Sequence, residues 1–217
     1  MFRDRKDGGK QLAKALEKYQ HQNVLVLGIP RGGVETAYYV ARHLHAEFSF
    51  IVSRKLGYPH NPEAAFGALA EDGSYFIFES SERELSPEVI QSVVEKVKYE
   101  IKRRVEVLRG SKPLPVLKNK TVILIDDGIA TGATLFAAIN LCKNQKAGKI
   151  VVAAPIAGAD MVETLKSKVD EVVILLTPEF YHAVSQGYQT FHDLDDDDVL
   201  EIMNQWKVEK RMEEEIV

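Results

Sequence analysis

Residues 122–134 read VILIDDGIATGAT. The apolar run Val122 to Ile125 lacks alternation and fits a strand buried on both faces, a condition typical of parallel sheets. It ends in two adjacent carboxylates, Asp126 and Asp127, and small residues then lead into a helical pattern that begins near Thr131. A helix N-terminus offers unpaired backbone amides and roughly half a positive charge, which suits a phosphate. Gly128 and Gly132 let the backbone approach a ligand closely, while Thr131 and Thr134 supply hydroxyl hydrogen bonds. Paired carboxylates would repel the phosphate itself. They make better sense as acceptors for vicinal sugar hydroxyls, with a divalent cation nearby to offset charge.

Working outward, apolar runs of the same kind occupy 23–29, 47–53, 149–156 and 171–177. Helical patterns lie at 8–21, 33–45, 131–145 and 159–168, so strand and helix alternate. That order predicts an α/β fold, a single domain over 1–217, with a mainly parallel five-stranded core sheet and right-handed crossovers. The connection from the second strand to the third is too long for one crossover, and about 56–118 reads as an insertion. It holds a hairpin with its turn at Glu71-Asp72-Gly73, then a long helix signalled by Ser86 as N-cap, Pro87 at the first position and Gly110 as stop.

Apolar residues at 45% and charged residues at 28% describe an ordinary globular chain. The formal net charge of -4 is concentrated in residues 193–217, where 10 acidic residues face 3 basic ones, so a solvated acidic helix is expected over about 195–214. Such a balance argues against nucleic-acid binding, which needs a concentrated basic face. No stretch approaches the ~20 apolar residues of a membrane span, and the basic N-terminus lacks a signal-length apolar run. Cys142 is the single cysteine, which excludes an internal disulfide and fits a buried small hydrophobe in a reducing, cytoplasmic compartment.

In an open parallel sheet, ligands bind beyond the carboxyl ends of the strands, which here means the loops after Ile29, Ser53 and Ile125. The third loop is not a Walker loop, because GIATGAT has no Lys, and its acid pair separates it from the dinucleotide fingerprint. Together the strand, the two acids and the Thr-Gly-x-Thr loop resemble the phosphoribosyl-diphosphate signature of type I phosphoribosyltransferases. GIPRGGVETA (28–37) and IVSRKLGYPHNPEAAFGALA (51–70) agree with it. More widely, FRDRKDGGKQLAKAL, EIKRRVEVLRG and TPEFYHAVSQGYQTF resemble a bacterial subgroup of that family over nearly the full length.

The resemblance implies Mg²⁺-dependent transfer of a 5-phosphoribosyl group from phosphoribosyl diphosphate to a nucleobase or other nitrogen acceptor, with release of pyrophosphate and a place in nucleotide salvage. Carried over residue by residue, Asp126, Asp127, Gly128, Ile129, Ala130, Thr131, Gly132, Ala133 and Thr134 would bind the phosphoribosyl group, the two acids also lying near the cation. Pro30, Arg31, Gly32, Gly33, Arg54 and Lys55 would bind pyrophosphate, the first loop often with a strained or cis peptide. Asp126, Asp127 and Lys55 would then carry catalysis. Ala130 stands where enzymes acting on 6-oxopurines often have Asp, so another proton-handling group is needed, and Glu63 is the candidate. A hood over the acceptor would come from residues 177–193 and the N-terminal segment. There Phe180, Tyr181, Tyr188 and Phe191 either stack on a planar base or form the core of the small lobe. The Arg103-Arg104 pair reads as a solvated helix face, with a homodimer contact or an approach to the diphosphate from a neighbouring subunit as the alternatives. Two rival functions remain at this level: a regulator that senses phosphoribosyl diphosphate without turnover, and a nicotinamide-dinucleotide binder.

Overall fold

The computed structural model describes residues 1–216. In chain order, α1 (Arg5–Ala15), β1 (Val24–Gly28), α2 (Gly32–Leu44) and β2 (Glu47–Phe50) form the first half of the core. The long connection holds β3 (Ser53–Tyr58), β4 (Asn61–Ala70), β5 (Tyr75–Ile77), α3 (Glu79–Glu84) and α4 (Pro87–Arg109). The second half follows as β6 (Thr121–Ile125), α5 (Ala133–Asn144), β7 (Lys149–Ile156), α6 (Ala159–Lys166), β8 (Glu171–Leu176) and α7 (Asp196–Ile216).

The five apolar runs pair in parallel in the order β2-β1-β6-β7-β8. Their lack of alternation has a direct cause. In β1, Val24 and Val26 face the layer of α1 and α2, whereas Leu25 and Leu27 face the layer of α5. Successive side chains still point to opposite faces, but both faces are covered, so both sets are apolar. Chain order reverses between β1 and β6, whose ends meet in register at Gly28 and Ile125. That reversal opens a crevice at the carboxyl edge, where the loops 29–31 and 126–132 emerge side by side.

The insertion is larger than a hairpin. β3, β4 and β5 form a separate antiparallel sheet, and β3 occupies residues expected to be loop. Arg54, Lys55 and Gly57 are poor strand formers, and the register shifts between Leu56 and Tyr58; pairing with β4 supplies what local propensity does not. The long helix begins as expected. Ser86 Oγ accepts from the Val89 amide at 3.4 Å, Pro87 takes the first position, and Gly110 ends the helix at φ 58°. Its last residue, Arg109, forms a buried ion pair with Glu71 and donates through Nη1 to the Phe50 carbonyl at 3.0 Å.

Two surface readings need correction. The acidic helix α7 is not simply solvated: Val199 is fully buried, and Trp206 packs edge-on against Phe48 and Tyr38 at 5.2 and 6.2 Å. Asp195 Oδ1 caps it by accepting from the Asp197 and Asp198 amides, which explains the clustered acids. Arg104 is an internal tie rather than a solvated charge, because its guanidinium pairs with Asp196 at the start of α7; Arg103 beside it is exposed. Cys142 is fully buried, and burial pushes its thiol up to about 12. Among the described residues, no helix is long and apolar enough to cross a membrane.

The edge strand β8 is held at its start by one carboxylate. Glu171 accepts from Tyr19 Oη at 2.6 Å and Lys149 Nζ at 3.1 Å and pairs with Lys18 at 2.7 Å. Burial opposes its ionisation, but these bonds together win and hold the carboxyl at about 2, below the ordinary 4.5. A depressed acid contributes stability above its unfolded value and loses it as the pH falls through the folded one. Urea unfolding between pH 5 and 2 should therefore show a stability drop that Glu171→Gln flattens; an unchanged drop in the variant would assign acid sensitivity elsewhere.

Candidate active site

Hydrogen bonds at the crevice tie the loops after β1 and β6 to the neighbouring strands. The Ile29 amide donates to the Ile125 carbonyl at 2.8 Å, joining the first loop to β6, and the Ile129 amide donates to the Ile156 carbonyl at 2.9 Å, tying the acid loop to the end of β7. The Pro30–Arg31 peptide is cis, and the Arg31 side chain is exposed at the mouth. Gly32 and Gly33 are dictated by close approach. A Cβ on Gly32 would lie 1.9 Å from Asp127 Oδ2, and one on Gly33 would lie 2.7 Å from the Ile125 carbonyl oxygen. Any side chain at either position would drive the two loops apart.

The helix after the acid pair starts at Ala133, later than its pattern implied, so Thr131 and Ala130 are exposed loop residues and Thr134 lies half-buried in the first turn. Gly132 occupies the N-cap at φ 71° and provides no side-chain cap. The opening amides of α5 therefore have no side-chain partner at the cap, which leaves them available to an anion.

The two carboxylates differ. Asp127 is buried, and its Oδ2 accepts from Arg5 Nε at 2.6 Å. Asp126 is only partly covered, and its Oδ1 accepts from the Asp127 amide at 2.9 Å. Burial, and next the neighbouring Asp127 charge, raise the Asp126 carboxyl well above the ordinary carboxylate range. Glu35, in the first turn of α2, is also raised, chiefly by burial, with the Arg5 charge opposing.

The segment 177–193 covers this edge together with the N-terminus. Phe2 pairs with Tyr188 as an isolated parallel bridge, and the Gln189 amide donates to the Phe2 carbonyl at 2.8 Å. Val184 sits so close above Gly128 that a Cβ there would meet it at 2.5 Å. Of the four aromatic residues named from sequence, Tyr188 belongs to this lobe's own core. It is 5% exposed, and its hydroxyl donates to the Asp127 carbonyl, so a ligand base has no room to stack on it. Phe191 packs against Tyr188 and under the Arg5 guanidinium, 4.1 Å from its ring centre. Phe180 is 72% exposed. Tyr181 is partly covered; its buried hydroxyl has no hydrogen-bond partner, and burial, then the Asp126 and Asp127 charges, push it up to about 12.

The remaining sequence candidates, Arg54, Lys55 and Glu63, lie on the paired strands β3 and β4 of the small sheet. Lys55 is exposed on β3. Arg54, on the opposite face of that strand, pairs with Glu100 of α4 at 2.9 Å, so its charge already has a partner. Glu63 is exposed at the start of β4. Arg5 was absent from the sequence-level candidates. One signal was available: a cation in the first turn of a helix opposes the macrodipole, which points to a tertiary partner.

Among the described residues, no group of three or more His, Cys, Asp or Glu side chains could hold a metal ion. The acid pair still suits Mg²⁺ of the kind that keeps waters and substrate phosphates and takes only one or two carboxylates from the protein. Asp126, with Arg5 occupying one oxygen of its neighbour, is the better-exposed donor.

The architecture is an open, parallel α/β sheet with its candidate ligand loops at the switch point, one glycine-rich and the other acidic ahead of an uncapped helix. The family model described as "Phosphoribosyl transferase domain" matches residues 5–188, and the chain belongs to that family. It is similar to "Putative phosphoribosyl transferase Rv0571c" and "Putative phosphoribosyl transferase MT0597" of two Mycobacterium tuberculosis strains. Each is 40% identical over 206 residues, covering 94% of this chain and 46% of the relative. The chain thus spans about half the length of the curated relatives it matches. Among solved structures, TT1426 from Thermus thermophilus shares 36% identity with a TM-score of 0.81, covering 94% of this chain and 98% of that one.

Proposed function

We propose that the protein transfers a 5-phosphoribosyl group from phosphoribosyl diphosphate, with Mg²⁺, to a nitrogen of a nucleobase or related acceptor. The single observation that carries this reading is the meeting of the Gly32–Gly33 loop with the acid pair ahead of the uncapped α5. The ligand's 5-phosphate would take the amides from Gly132 to Thr134 and the Thr131 hydroxyl, and its ribose hydroxyls would reach Asp126. The loop Pro30–Gly33 and Lys55 would hold the diphosphate.

The chemistry follows from charge. Breaking the bond between the anomeric carbon and the diphosphate oxygen sends the electron pair to the leaving group and leaves positive charge on the ribose ring. The acceptor nitrogen then bonds to that carbon and releases its proton. Asp126 would lie on the side where cationic character grows, while Arg31, Lys55 and the loop amides would meet the departing negative charge. Mg²⁺ on the diphosphate would further neutralise the leaving group. Binding of the remote 5-phosphate orients the anomeric carbon between these two regions. Glu63, exposed at the start of β4, would take the acceptor's proton.

Pyrophosphate release over a panel of bases and amines tests the reading. Turnover with at least one acceptor supports it, and saturable binding without any turnover would instead assign a sensing role. Lys55→Ala should lower kcat/KM by roughly 100-fold. Because Lys55 is exposed, its unfolding midpoint should match the wild type. Equal kinetics in the variant would remove Lys55 from the diphosphate site.

A further inference from the structure

The inequality of the two carboxylates traces to the first helix. Arg5 is 5% exposed, although its side chain carries a full charge. Its Nε meets Asp127 Oδ2 at 2.6 Å, its Nη1 donates to the His192 carbonyl at 2.7 Å, and its guanidinium lies over Phe191. The missing side chain of Gly32 makes room for this pair, since a Cβ there would stand 2.7 Å from Arg5 Nε and 1.9 Å from Asp127 Oδ2. Four segments remote in sequence therefore converge on one ion pair: the N-terminal helix, the Pro30–Gly33 loop, the acid loop and the covering lobe.

We propose that Arg5 is a positioning residue for phosphoribosyl transfer, which pins Asp127 beneath the Gly32 loop as an anchor and leaves Asp126 as the carboxylate that meets the ligand. This inference rests on the transferase reading above. The local acids do not explain Arg5, because Asp4 caps the helix by accepting from the Asp7 amide and Asp7 pairs with Arg3. The planar guanidinium matters as well as its charge. It binds a carboxylate and a carbonyl through separate nitrogens while stacking on an aromatic face, and a lysine ammonium cannot reproduce that fork. Compensating one of two adjacent carboxylates also lowers the repulsion that an anionic sugar diphosphate would meet at the mouth.

The test is calorimetric binding of phosphoribosyl diphosphate with Mg²⁺, combined with hydrogen exchange on ligand-free protein. Arg5→Gln should weaken binding at least about 10-fold, because the acid loop loses its tie to the first helix, and Arg5→Lys should restore only part of it. In an Asp127→Asn background, Arg5→Gln should add less than about 3-fold, because the pair acts as one unit. Amides of 127–129 and 188–192 should exchange at least about 10-fold faster in Arg5→Gln than in the wild type, reporting a loosened lobe. Wild-type affinity in folded Arg5→Gln, or full and independent losses in the double variant, would overturn the proposal. If Arg5→Gln fails to fold, the Arg5→Gln/Asp127→Asn variant removes both buried charges; weak binding in it supports the proposal and wild-type binding overturns it. Wild-type protein that ignores the ligand would sink the transferase reading instead. In that case the exchange data still judge the clamp, which unchanged rates at 188–192 would refute.

Discussion

Replacing both acids, Asp126→Asn with Asp127→Asn, should reduce pyrophosphate-releasing activity by more than about 100-fold, because the transferase reading assigns Asp126 to the sugar hydroxyls and cation and Asp127 to holding it in place. Near wild-type turnover would remove the acid pair from the site. A stability measurement on Asp126→Asn alone separates function from folding. Burial, with the Asp127 charge second, raises the Asp126 carboxyl, so the fold favours its protonated form. Stability from such a group is complete below the ordinary carboxylate range and falls as the pH climbs through the raised value. Asparagine resembles the protonated acid and carries no such penalty. Asp126→Asn should therefore melt higher than the wild type at neutral pH while binding phosphoribosyl diphosphate poorly. A lower melting temperature would show that the ionised carboxylate is a stabilising part of the ligand-free fold.

Breaking the buried pair between Arg109 and Glu71 should damage the fold severely. Their side chains are 8% and 10% exposed, and Glu71 Oε1 also accepts from the Val52 amide at 2.9 Å. This cluster ties the end of α4 to the turn between β4 and β5 and to the junction of the two sheets. Glu71→Ala strands a buried guanidinium and a backbone donor, and should cost about 3–5 kcal/mol in denaturant unfolding. Glu71→Leu combined with Arg109→Met removes both charges and should recover most of that loss, since well-packed apolar replacements of buried pairs are often neutral. Failure to recover would mean that the Val52 and Phe50 backbone groups, rather than the charges, set the cost.

The core sheet was legible because burial on both faces leaves a plain mark, an apolar run such as Val24 to Leu27 with no polar residue interleaved. The limits of α4 were legible for a local reason, since Ser86, Pro87 and Gly110 act through their own backbone geometry. The strand β3 was not, because Arg54, Lys55 and Gly57 form it only in the presence of β4. Within the site, the glycine-rich and acidic loops could be placed from sequence, as each adjoins a recognisable strand. The partnership of Arg5 with Asp127 could not, because it spans 122 positions and nothing in either neighbourhood encodes the other. Tyr188 illustrates a further limit: an aromatic residue suited to ligand stacking is equally suited to core, and only its contacts with Phe2 and the Asp127 carbonyl decide.

Those N-terminal contacts bear on how the protein can be shortened. A fragment trimmed to begin just ahead of β1 would retain every residue of the recognisable loops, yet lose Phe2 from beneath the lobe and the guanidinium from beside Asp127. Such a fragment could fold its sheet and still be inert, with one bare carboxylate facing another, so boundaries drawn around the signature alone would misjudge the smallest working unit.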